Sequence, residues 1–153
     1  MSASSGLDAR SIMKAHLTRR YIFSASHRLH SAEMSEEENV ETYGKCNNAH
    51  GHGHNYILEV TVSGAVDPAT GMVCNLVDLD DFVEREVLDH YNLENLNTLQ
   101  EFSQTVPTTE NLCIEIFEIM HRGFRHAHLE RVRIEETMMN SFEYAGADNV
   151  PSR

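Results

Sequence analysis

From Leu17 the chain alternates between apolar and polar positions. Leu17, Tyr21, Phe23, Ala25 and His27 share one parity; Thr18, Arg20, Ser24, Ser26 and Arg28 share the other. A period of two predicts a half-buried strand with His27 on its inward face. The acidic stretch from His30 to Glu41 breaks the pattern and reads as an exposed loop. Alternation resumes near His52, where Tyr56, Leu58, Val60 and Val62 interleave with Ile57, Glu59, Thr61 and Ser63. Asp67-Pro68-Ala69-Thr70-Gly71 is turn chemistry, and Met72-Val73-Cys74 reads as the returning partner of a hairpin.

The period then changes. Leu79, Phe82, Val83 and Val87 make a helical stripe, with Asp78 as its candidate N-cap. After a loop from Asn92 to Pro107, Thr108 or Thr109 caps a second helix, whose stripe is Cys113, Ile116, Phe117, Met120 and Phe124. Leu129 to Glu136 alternates again, with Val132 and Ile134 on one face, and Phe142 and Tyr144 mark a last short strand. The order ββααββ predicts an α+β domain over residues 17–146 built on an antiparallel sheet. Residues 1–16 and 147–153 read as loose tails.

Composition narrows the function. The chain has 153 residues, and 12 basic side chains against 24 acidic ones leave a net charge of −12. Such a field repels nucleic acid and anionic membrane surfaces. No apolar run approaches the roughly 18–20 residues of a membrane span. Three widely spaced cysteines, Cys46, Cys74 and Cys113, predict no disulfide framework and point to a reducing, cytoplasmic compartment. The unusual count is ten histidines.

Several of those histidines crowd into Cys46-Asn-Asn-Ala-His50-Gly-His52-Gly-His54-Asn55-Tyr56. On an extended chain His50, His52 and His54 project from one face, the face of Tyr56 and Leu58. The intervening glycines leave room for another backbone to approach. If the two strands pair, His27 converges with two of the three. Three neutral imidazoles make a zinc set with one position open, the mark of a catalytic rather than a structural site. Cys46 lies in a polar loop beside Lys45, a setting that favours the thiolate, whereas Cys113 sits on an apolar stripe and reads as inert. Asp89-His90 ends the first helix, where an aspartate can orient a histidine or the histidine can simply meet the helix dipole. Glu136 shares the inward parity of Ile134; it either waits for a ligand with donor groups or ends the strand in solvent.

These segments together resemble the 6-pyruvoyl-tetrahydropterin synthase family. The resemblance runs from Phe23 to Tyr144. Its carriers are Phe23-Ser-Ala-Ser-His27-Arg-Leu, Gly44-Lys-Cys46-Asn-Asn, Gly51-His52-Gly-His54-Asn-Tyr56, Asp67-Pro-Ala-Thr-Gly-Met-Val73, Leu88-Asp89-His90, Thr108-Thr-Glu-Asn111 and Glu136-Thr137. It implies the tunnelling fold: a four-stranded antiparallel sheet with two helices on one face, three sheets closing into a barrel, and two trimers stacking as a homohexamer with sites between subunits. It implies a lyase that converts 7,8-dihydroneopterin triphosphate to 6-pyruvoyl-tetrahydropterin and inorganic triphosphate, in tetrahydrobiopterin biosynthesis. It implies Zn2+ on His27, His52 and His54. Mg2+ is a candidate companion of the triphosphate that the sequence itself does not decide. Cys46 matches the general base, Asp89 and His90 a proton relay reaching a neighbouring subunit, and Glu136 the pterin anchor, aided by Thr108 and Thr109.

Two departures stand out. His50 offers His50-Gly-His52 as a rival ligand pair, and Met138-Met139 follows Thr137 where the family is usually more polar. Two other functions remain: the sister 6-carboxy-tetrahydropterin synthase, and a non-catalytic pterin- or metal-binding protein. Residues 47–51 give the biopterin-type spacing between Cys46 and His52, but three residues separate Cys46 from His50, the spacing of the sister enzyme. An acidic chain that takes a triphosphate also needs local cations, and Arg19, Arg20, Arg28 and Lys45 are the candidates.

Overall fold

Strand β1 (Lys14–His27) begins three residues before Leu17, because Lys14, Ala15 and His16 pair with Ala65, Gly64 and Ser63 at the far end of β2 (His52–Ala65). The computed structural model describes residues 13–147, so most of both expected tails lies outside the described residues. The acidic stretch read as a loop contains a helix, α1 (Glu36–Tyr43). Ser35 and Glu38 form a reciprocal capping box at its start, and three glutamates fill its first turn. Asn39 is buried beneath it and bonds the Ser31, Met34 and Ser35 carbonyls. A weakly amphipathic helix held by its cap and one polar anchor leaves little apolar periodicity to read.

The Asp67–Gly71 turn forms, with the Gly71 N–H donating to the Asp67 carbonyl, but Met72-Val73-Cys74 does not return as a strand. Asn75 takes the N-cap of α2 (Leu76–Val83) instead, accepting from the Val77 N–H. Asp78 therefore lies in the first turn and is not the cap. A π-helical stretch (Glu84–Leu88) carries α2 into α3 (Asp89–Tyr91). The loop that follows holds a two-residue strand, β3 (Glu94–Asn95), and two short 3-10 turns. Thr108 caps α4 (Thr109–Gly123), and β4 (His128–Thr137) and β5 (Asn140–Tyr144) close the chain.

The sheet order is β3-β1-β2-β4-β5. The four long strands are antiparallel, as expected, but β3 adds a fifth, paired parallel to β1 through Ala25 and Ser26. The sheet is thus mixed and open, where four antiparallel strands were expected. The physical cause is local: Leu93, at φ 62, donates its N–H to the Ser24 carbonyl and draws the loop onto the β1 edge.

The helices cover one face. Phe23, Tyr56, Leu58, Val60, Val132 and Ile134 meet Leu79, Val83 and Val87 of the first helical run and Leu112, Ile116 and Met120 of α4. Each such aliphatic side chain contributes about 1.5–3 kcal/mol on burial. The other face is polar yet also covered in part: Glu59, Thr61 and Ser63 are buried. Cross-strand partners explain this. Arg20 and Arg133 each bond one Glu59 oxygen, and Thr18 bonds Thr61.

Candidate metal centre

The β1–β2 register sets the histidines. His27 lies opposite His52, and His54 lies opposite Ala25, two residues further along the same face. The Nε2 atoms of His27 and His52 are 3.0 Å apart, and one ring nitrogen from each of His27, His52 and His54 lies within 4.8 Å of the others. The expected convergence of His27 with two loop histidines is met. His50 is the one left out, exposed in the turn before β2. Gly51 makes the approach possible. It holds φ 72, and a Cβ there would sit 3.0 Å from the His27 carbonyl oxygen.

Second contacts set the rings. His27 is buried, and its Nδ1 lies 2.7 Å from the Pro107 carbonyl. A carbonyl only accepts, so the proton sits on Nδ1 and Nε2 keeps its lone pair. The His54 Nε2 is buried without a hydrogen bond, although Glu136 Oε1 is 3.4 Å away. Burial pushes the pKa of both His27 and His54 down, favouring neutral rings. Three converging imidazole nitrogens, one of them an orphaned buried atom, fit a metal ion of the zinc type.

Glu136 stands beside them at a β-bulge. Glu135 pairs with Ser141 and Thr137 with Asn140, leaving Glu136 without a partner across the strand. Bulges re-aim side chains in this way. Thr109 donates to Glu136 Oε1 at 2.8 Å and Asn140 donates to Oε2 at 2.9 Å. Thr108, by contrast, spends its hydroxyl on the Asn111 N–H as the helix cap. The Tyr56 hydroxyl is buried without a hydrogen-bond partner, and burial, Glu136 and Cys46 all push its pKa up.

Cys46 sits in a 3-10 turn (Gly44–Asn47) clamped to the exit of β1. Its carbonyl accepts from the Leu29 N–H, and Asn47 donates to the Leu29 carbonyl. Its thiol is half-buried, whereas Cys74 and Cys113 are buried and burial pushes both upward, Cys113 to about 12.

Asp89 and His90 are not brought to this cluster within the chain. Both are exposed on α3. His90 Nε2 bonds Glu101 Oε1 at 2.5 Å, and no hydrogen bond joins His90 to Asp89 among the described residues. Of the candidate cations, Arg19 is held by two bonds to Asp80 and Arg20 by Glu59. The Arg28 side chain bonds the Asn47 carbonyl through Nε, and Lys45 is exposed; neither side chain meets a carboxylate among the described residues. The sequence reading missed Pro107, Asn140 and Glu101. A backbone carbonyl carries no residue signature, and the Met138-Met139 turn that positions Asn140 lacks the usual Gly or Asn.

The α+β sheet brings together three histidines that could hold a metal ion, beside a carboxylate braced by Thr109 and Asn140. Comparison with known proteins agrees. A profile described as 6-pyruvoyl tetrahydropterin synthase matches residues 16–147. A 6-pyruvoyl tetrahydrobiopterin synthase from Poecilia reticulata is 48% identical over 134 residues, covering 86% of this chain and 90% of that protein. The Homo sapiens protein of that name is 45% identical over 136 residues, covering 87% and 92%. The structure of Caenorhabditis elegans 6-pyruvoyl tetrahydropterin synthase superposes with a TM-score of 0.84 at 43% identity, covering 88% and 97%. The chain belongs to the 6-pyruvoyl tetrahydropterin synthase family of enzymes.

Proposed function

We propose that this chain is a zinc-dependent lyase that converts 7,8-dihydroneopterin triphosphate to 6-pyruvoyl-tetrahydropterin and inorganic triphosphate. The observation that carries the reading is the convergence of His27, His52 and His54 beside a carboxylate whose two oxygens are already held by Thr109 and Asn140. His27, His52 and His54 hold the metal. When bound, zinc supplies Lewis acidity to the substrate's side-chain hydroxyls. Glu136 accepts from the amino-pyrimidinone edge of the ring, a charge-assisted contact that fixes its orientation. Cys46 removes the side-chain proton, on the turn clamped to the end of β1. Arg28 and Lys45 receive the triphosphate, since Arg19 and Arg20 are already neutralised. A magnesium ion accompanies that group.

Asp89 and His90 complete the site from a neighbouring subunit of a homohexamer. Their exposure in the single chain supports this, as do the open edges of the sheet at β5 and along most of β1. The enzyme is cytoplasmic in this reading; no helix among the described residues is long and apolar enough to cross a membrane. The sister 6-carboxy activity is disfavoured by the exclusion of His50 from the cluster, which leaves residues 47–51 between Cys46 and its first ligand. Chelation followed by zinc addition tests the reading: turnover should vanish and return. A chelated protein that keeps full turnover would refute it.

A further inference from the structure

We propose that His50, the histidine left outside the metal cluster, joins Arg28 in a subsite for the substrate's triphosphate chain. The inference rests on the lyase reading and extends it to a residue that the reading leaves unused. A cavity of about 260 Å³ opens where the β1–β2 ladder ends, and its walls include His27, Arg28, His50, Asn95 and Asn97. No carboxylate lines it, in a chain with 24 acidic residues. The one fixed charge among the residues that line it is Arg28. Asn97 clamps the Arg28 backbone, accepting from its N–H at 2.7 Å and donating to its carbonyl at 2.9 Å. The guanidinium spends Nε on the Asn47 carbonyl, and its two terminal nitrogens have no hydrogen bond among the described residues. His50 is held through its backbone, whose N–H donates to the Asn48 side chain at 3.1 Å. Its exposed ring bonds nothing among the described residues.

The place of the cavity relative to the metal cluster selects the ligand. His27 belongs to both. His27 and His52 are the last pair of the ladder, and the cavity continues past them to Arg28 and His50. Glu136 stands on the other side, its Oε1 3.4 Å from His54 Nε2 and 3.6 Å from His27 Nε2. A pterin ring held at Glu136, with its side-chain hydroxyls at the histidines, carries its triphosphate beyond those hydroxyls, toward this cavity. A polyanion there needs a fixed cation and N–H donors. Arg28 supplies the charge and a fork of donors that matches phosphate oxygens. An imidazole carries at least one N–H whatever its charge, so His50 donates to a phosphate oxygen without any titration.

The test uses the full-length, zinc-loaded protein. Calorimetry reads two probes: inorganic triphosphate, and 7,8-dihydroneopterin, which has no phosphate. H50A should weaken triphosphate binding about three- to tenfold, the effect of one hydrogen bond at an open site, and leave dihydroneopterin binding unmoved. H50Q keeps an N–H donor and should recover part of that loss, whereas H50E should weaken triphosphate further than H50A. In turnover of 7,8-dihydroneopterin triphosphate the H50A loss should fall on KM, with kcat nearly unmoved. Zinc content should match the parent throughout. Parent-like triphosphate affinity in H50A, an equal loss for dihydroneopterin, or zinc lost with the ring would overturn the proposal. A parent protein that binds triphosphate but turns nothing over would instead sink the lyase reading, while the H50A comparison still judges the subsite.

Discussion

His27 and His52 face one another across the β1–β2 ladder with their Nε2 atoms 3.0 Å apart. At that separation at most one of the two facing nitrogens can carry a proton, and His54 brings a third nitrogen that has no hydrogen bond of its own. Single H27A, H52A and H54A variants are therefore expected to lose bound zinc, while H50A retains about one ion per chain. Elemental analysis of the purified variants decides this; zinc lost from H50A but kept by H54A would reverse the ligand pair.

Among the described residues the side chains that could together hold a metal ion are His27, His52 and His54, and Cys46 is not among them. C46A should keep its zinc yet lose at least about a hundredfold in turnover. Subunits carrying C46A and H90A should each be inactive, and co-expressed as mixed oligomers they should regain part of the activity if sites form between chains. Inactive mixtures that assemble normally would place both residues in one chain's site.

The charge ledger separates two arginines. Arg19 is bound to Asp80 and Arg28 meets no carboxylate among the described residues. R28E should raise KM severalfold with little change in unfolding temperature, and R19E should do the reverse. The two parameters are read from steady-state kinetics and thermal unfolding, and an R28E variant with the parent's KM removes Arg28 from the triphosphate site.

Gly51 tests the backbone approach that lets the strands present their histidines. Its left-handed φ of 72 strains any side chain, and a methyl group 3.0 Å from the His27 carbonyl oxygen would force that backbone to give. G51A should cost about 1–3 kcal/mol in denaturant unfolding and weaken metal binding with it. A neutral G51A would mean the turn before β2 relaxes freely.

Asp80 links the sheet to acid stability. The two bonds from Arg19, with the Tyr21 hydroxyl, hold its carboxyl below the usual range. A depressed carboxylate stabilises the fold above its unfolded pKa of about 3.9 and loses that contribution as pH falls through its folded value. The gap in unfolding temperature between the parent and D80N should be full at neutral pH and close below about pH 4. A constant gap across that range contradicts the linkage.

Much of this was legible because strand parity is a strong signal. The alternation ending at His27, and that starting at His52, already placed the histidines on the face that carries the core. The residues it could not reach act through long-range or backbone contacts. Pro107 serves through its carbonyl, Asn140 through a bulge that no periodicity announces, and Glu101 across a loop whose regular pieces span two or three residues. Helix α1 was missed for a different reason: its cap and the buried Asn39 hold it, with little apolar stripe to see. The failed strand at Met72–Cys74 shows a cap winning over β propensity, since Asn75 starts a helix at once.

The most direct test is to incubate the zinc-loaded protein with 7,8-dihydroneopterin triphosphate and identify both products. Release of 6-pyruvoyl-tetrahydropterin with intact inorganic triphosphate is the expected result. A 6-carboxy product with acetaldehyde, or tight pterin binding without turnover, would contradict it.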